Sequence, residues 1–186
     1  MKKLLRPYLT FVLMGALLTF SSCDDHDHEP HDDEGELITT LTLTMTPQSG
    51  GSPITATFRD LDGNGGQPPV MTPAQVTLNA NTLYNTKITL LDEANGTKDL
   101  TAEIKQKGNE HEFFFVSSPA DLLTVTKTDR DAKSRPIGLE STIQTGAAKS
   151  GTLRVVLKHQ PGLKSSTSTI STGETDIDVT YSIRVQ

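Results

Sequence analysis

The residues best suited to chemistry in this 186-residue chain are three closely spaced histidines in an acidic run near the amino terminus. In an extended chain His26 and His28 project to the same side, and His31 follows within reach of the same ion. Neutral imidazole and carboxylate oxygens are ligands for zinc, copper or nickel. The run therefore predicts a site for zinc or another divalent transition metal. Carboxylates around the imidazoles would add electrostatic attraction; they are Asp24, Asp25, Asp27, Asp32 and Asp33. The other interpretation is that the run is a solvated export signal with no metal role.

A second candidate is a calcium loop. Asp60, Asp62 and Asn64 match positions 1, 3 and 5 of an EF-hand loop, and a glycine stands at position 6. Position 12 is Met71 instead of the bidentate glutamate, which excludes an EF-hand. The residues predict either a calcium-stabilised loop between strands or a tight turn whose side-chain oxygens accept backbone hydrogen bonds.

A third candidate is the pair His111 and His159. Each follows the apolar alternation of a predicted strand to the point where the apolar face ends. Two such histidines could meet at a sheet end and bind a metal, or each could be hydrogen-bonded at the rim of the core.

Composition argues against several classes of function. A net charge of −6 disfavours nucleic-acid binding, and one cysteine excludes an internal disulfide. The chain contains no nucleophile elbow, zincin motif or phosphate-binding glycine loop. We therefore expect a protein that is not an enzyme.

The first residues predict an export signal. Three basic residues precede an uncharged stretch over residues 8–20, which is too short to span a bilayer comfortably. The stretch ends in Ser21-Ser22-Cys23, which resembles a bacterial lipobox. That resemblance implies a signal peptide over residues 1–22 and lipidation of Cys23, and acyl chains would hold the protein in a membrane.

Charge divides the remaining chain into two parts. Residues 24–36 contain eight acids and no lysine or arginine, so we predict a disordered, lipidated tether over residues 23–36. Residues 37–186 contain 15 acids and 14 bases and read as one nearly neutral domain.

Alternation of apolar and polar residues predicts that this domain is all-β. In residues 37–46 and 175–185 the apolar side chains recur at every second position, which is typical of half-buried strands. Further runs have the same character; they are residues 54–59, 86–91, 112–117, 122–127, 139–145 and 152–159. Gly, Pro, Asn and Asp separate the runs, so we expect an Ig-like antiparallel β-sandwich with one short helix over residues 97–107. Residues 162–173 are rich in Ser and Thr and predict a loop.

Several motifs together resemble one family of small outer-membrane lipoproteins. They are Cys23 with its acidic tail, residues 58–66, 111–115, 136–139, 157–161 and 173–179. Members of this family often carry the label "type 1 periplasmic binding fold superfamily" and are often encoded beside a TonB-dependent receptor. The label implies an α/β fold, whereas the alternation predicts strands. The acidic run after the lipidated cysteine also resembles a surface-export signal.

The resemblance implies a surface-exposed outer-membrane lipoprotein that delivers a scarce ligand, such as a transition metal, to a TonB-dependent transporter. The alternative is a structural or adhesive Ig-like module in which the tether is only an export signal and spacer.

Overall fold

The computed structural model of the protein describes residues 36–63, 65–94 and 96–186. Cys23 and the candidate tether ligands lie outside these residues, as does Asn64 of the candidate calcium loop. The tether ligands are His26, His28, His31, Asp24, Asp25, Asp27, Asp32 and Asp33.

Strands and one short helix make up the regular structure of the described residues. The elements are β1 (Thr40–Pro47), β2 (Ile54–Arg59), β3 (Val70–Thr72), β4 (Val76–Leu78), β5 (Leu83–Asp92), β6 (Lys98–Asp99), α1 (Thr101–Gln106), β7 (His111–Ser118), β8 (Leu123–Lys127), β9 (Glu140–Thr145), β10 (Lys149–His159) and β11 (Glu174–Val185). In this part of the chain no helix combines the length and the apolar character that crossing a membrane requires.

The strands form two sheets. The larger has the order β3-β2-β1-β5-β9-β8, with β6 on β5, and the smaller has the order β4-β11-β10-β7. Neighbouring strands are antiparallel except β4 and β11, which run parallel. The predicted all-β sandwich with one short helix is confirmed, and the only departure from antiparallel pairing among the described strands is this short edge.

The core lies between the sheets and follows the predicted alternation. Leu41 and Leu43 on β1 are fully buried, as are Leu153 and Val155 on β10. The hydroxyl of Tyr181 on β11 donates to the backbone carbonyl of Leu41, 3.2 Å away, and so joins the two sheets through the core. Burial of these alternate side chains is the main favourable contribution to the fold.

The helix is shorter than predicted at its amino end. The sequence predicts a helix over residues 97–107, but Lys98–Asp99 pairs with the end of β5 and the helix begins at Thr101. Pairing with β5 holds residues 98 and 99 in extended backbone, so they cannot form a first turn. The buried Ile104 then fixes the helix against the core.

Candidate metal centre

His111 and His159 meet at one end of the smaller sheet. They are register partners, because β7 begins at His111 where the antiparallel β10 ends at His159. Their rings are stacked with centroids 4.6 Å apart and planes 9° apart. The structure therefore brings together the two histidines that the apolar alternation placed at a sheet end.

Hydrogen bonds hold both the ring and the backbone of His111 in place. The ring is completely buried, and its Nδ1 lies 3.1 Å from the carbonyl oxygen of Lys107. The buried ammonium of Lys164 donates to the carbonyls of Gly108 and His111, at 2.6 and 2.8 Å. These contacts fix the direction in which the other ring nitrogen, Nε2, points.

Glu36 faces that nitrogen. Its Oε2 lies 3.1 Å from Nε2 of His111, and its Oε1 accepts a hydrogen bond from Lys107 at 3.2 Å. The sequence assigned Glu36 to the disordered tether, because its neighbours are acidic. The structure places Glu36 in the folded domain, where its side chain is only 11% exposed.

Asp176 completes the cluster because of an irregularity in β11. Leu157 pairs with Ile177 but the next residue, Lys158, pairs with Thr175, so Asp176 is the extra residue of a β-bulge. A bulge redirects a side chain that regular alternation would turn outward. The Oδ2 of Asp176 lies 3.7 Å from Nε2 of His111, and the side chain is 2% exposed. Simple alternation predicts that Asp176 faces solvent, and that prediction is wrong.

Burial dominates the electrostatics of Asp176 and His111. It raises the pKa of Asp176 to about 7, and the negative charge of Glu36 adds to the effect. Burial also lowers the pKa of His111, despite the Lys107 carbonyl and the Glu36 carboxylate. Burial opposes ionisation of Glu36 as well, but His111 and the Lys107 ammonium outweigh it and hold the pKa of Glu36 below its ordinary value.

The cluster therefore presents electron pairs to one point. Both nitrogens of His111 face oxygen atoms, so Nε2 requires a second ring proton, a proton on the facing carboxyl of Glu36, or a cation. The lowered pKa of Glu36 disfavours the protonated carboxyl. The lowered pKa of His111 disfavours the second proton. The Oδ2 of Asp176 is buried, and among the described residues no group donates a hydrogen bond to it.

These three atoms could hold a metal ion. The nitrogen of His111 and one oxygen each from Glu36 and Asp176 all lie within 4.8 Å of one another. A hydrogen bond from Nδ1 of a ligating histidine to a backbone carbonyl is the usual arrangement in metal sites. Imidazole with two carboxylates suits a divalent transition metal better than calcium, which prefers oxygen ligands alone.

His159 lies beside the cluster and is not part of it. Its Nε2 points toward Glu110, with 3.9 Å to Oε2, and its ring covers one face of His111. The predicted pair is thus a stacked pair, in which only His111 also meets two carboxylates.

In the candidate calcium loop, the backbone engages both aspartates. The Oδ1 of Asp60 accepts the N–H of Gly63 at 3.0 Å, and the Oδ2 of Asp62 accepts the N–H of Gln67 at 2.8 Å. A Cβ on Gly66 would lie 2.3 Å from Cγ of Asp62, so a side chain there would displace the Asp62 carboxylate. These contacts are those of the tight turn that was the alternative interpretation.

Sequence reasoning found His111 but missed its partners. The acidic composition around Glu36 hid its place in the fold, and the bulge at Asp176 leaves no sign in the alternation that continues from Ile177. The only sign of these partners in the sequence was Asp176, a carboxylate directly before the buried strand residue Ile177.

Comparison with known proteins adds no relative. No protein-family model matches the chain, and neither a curated protein nor a solved structure matches it.

Proposed function

We propose that this protein is a non-enzymatic lipoprotein that binds a divalent transition metal, such as zinc, through Glu36, His111 and Asp176. The observation that carries the proposal is the convergence of three electron-pair donors on one point inside the protein. One of them, the Oδ2 of Asp176, is buried without a hydrogen-bond partner among the described residues. A bound cation would satisfy all three donors at once.

The cellular setting in this proposal comes from the sequence. The lipobox at Cys23 supports attachment to the outer membrane by lipid, and the resemblance to receptor-associated lipoproteins supports assistance to a TonB-dependent transporter. The acidic, histidine-containing run ends at Glu36, which is itself a proposed ligand. Weak capture by His26, His28 and His31 would raise the concentration of cations next to the centre in the folded domain.

Calorimetric titration of zinc into matched histidine variants tests the proposal. All proteins carry His26, His28 and His31 replaced by Ala, so that only the folded domain can supply imidazole. In this background we expect one zinc site. His111→Gln should weaken it roughly 100-fold, because a ligand is lost. His159→Gln is the control, because it changes the stacked neighbour whose nitrogen faces Glu110 instead.

Two results would contradict the proposal. One is equal zinc affinity in His111→Gln and His159→Gln, which would place the metal elsewhere. The other is no zinc binding in the common background. The cluster would then be only a structural contact of the folded domain, and the structural or adhesive module would be the better account of the domain.

A further inference from the structure

A cleft opens directly against the proposed centre. Its volume is about 570 Å³, and two of the three proposed ligands, Glu36 and Asp176, form part of its lining. Its walls come from both sheets, because Ile38 precedes β1, Phe58 lies on β2 and Ile177 lies on β11. Pockets of this size take small organic molecules, whereas a single hydrated ion would leave most of the space to water.

The proposed ligand set leaves part of a metal's coordination sphere open. In an octahedral complex with bonds of about 2.1 Å, donors on one face lie about 3.0 Å apart. The Nε2 of His111 lies 3.1 Å from Glu36 and 3.7 Å from Asp176, which is close to that spacing. Three protein donors occupy half of a six-coordinate sphere and leave three positions for another molecule.

The chemistry of the cleft selects the kind of molecule. Leu37 is 54% exposed and provides an apolar surface beside the centre, together with Phe58. Asp60 also lines the cleft, as does Asp178, whose charge Arg154 neutralises in an ion pair, and the described lining itself includes no lysine or arginine. The cleft therefore suits a molecule that is partly apolar and, with its metal, positively charged.

We propose that the cation is bound here as a complex with a small organic chelator that supplies three donor atoms and lays an apolar part on Leu37 and Phe58. This inference rests on the proposed function, because it assigns the open side of the same metal centre. Amino acids with a chelating side chain belong to this class. The folded domain would thus recognise a chelated metal in preference to the free ion.

Equilibrium dialysis with nickel and radiolabelled L-histidine tests the inference on the full chain with His26, His28 and His31 replaced by Ala. One histidine chelates nickel through three donors, leaving one face free and a net charge of +1. We expect about one histidine retained for each nickel. Nickel nitrilotriacetate is the comparison, because it is negatively charged and leaves two positions instead of three, so it should not be retained.

The variant Leu37→Ser tests the cleft independently of the metal centre. We expect it to lower histidine retention roughly fivefold, since it removes half-exposed apolar surface from the cleft wall, while retention of nickel alone stays unchanged. Val116→Ser is the matched control, because Val116 is 46% exposed on β7 and does not line the cleft.

Each outcome is decisive. Nickel retained without histidine would overturn the chelator and leave the metal centre intact. Histidine retained equally by Leu37→Ser and the parent would also overturn the assigned cleft. Retention of neither nickel nor histidine would overturn the proposed function itself.

Discussion

Replacing Asp176 by Asn should make the metal-free protein more stable at neutral pH. Asn keeps the shape of the side chain and removes its charge from a site where the carboxyl is 2% exposed. The pKa of this carboxyl rises from 3.8 to about 7 on folding. At 1.36 kcal/mol for each pKa unit, the ionised carboxylate lowers the free energy of unfolding by about 4 kcal/mol at most.

The protonation of Asp176 in the folded and unfolded states determines how the stability difference between the two proteins changes with pH. Below pH 3.8 the carboxyl is protonated in both states and does not affect stability. As the pH rises from 3.8 to about 7, the unfolded state ionises first, so the wild type steadily loses stability. Asp176→Asn lacks this contribution. The stability advantage of the variant should therefore grow between pH 4 and pH 7 and then level off.

Urea denaturation in the presence of a metal chelator measures the difference at each pH. A saturating divalent metal should reverse the order at pH 7.5, because the wild type gains binding energy that the variant has lost. An advantage of Asp176→Asn that does not change with pH would refute the burial argument, and so would a variant less stable than the wild type at pH 8 without metal.

Two further substitutions test the support of the site and of the core. Lys164→Met should lower the free energy of unfolding by about 2–4 kcal/mol, because the buried carbonyls of Gly108 and His111 lose their donor. Urea denaturation measures this loss, and an unchanged midpoint would contradict the prediction. Tyr181→Phe should cost about 1 kcal/mol by removing the bond to the Leu41 carbonyl, and a thermal melt with no shift would show that the bond contributes nothing.

The long strands were predictable because their burial repeats at every second residue. β2 has the predicted bounds, and β10 and β11 differ from the prediction by three residues or fewer at their amino ends. β3, β4 and β6 were missed because they contain only three, three and two residues, too few to show a period. Such short strands depend on the neighbour they pair with, which local sequence does not reveal.

The site was predictable only in part, for a related reason. His111 and His159 end apolar faces, so periodicity alone placed both at the rim of the core. Glu36 meets His111 through a contact across 75 residues, which composition cannot indicate. Lys164 was hidden in the same way, because it lies in a Ser/Thr-rich stretch that predicts a loop, yet its ammonium is buried beneath His111.

The candidate site depends on the bulge in β11, whereas the fold does not, so the two can change independently in evolution. From Ile177 onward the strand keeps its pairing with β10 and its contribution to the core. The extra residue of the bulge affects only the pairing of the residues before Ile177, and it turns Asp176 inward. Loss of one amino acid there would return the strand to strict alternation while leaving the sandwich intact, so descendants of this chain could discard or regain the centre by a single-codon deletion or insertion.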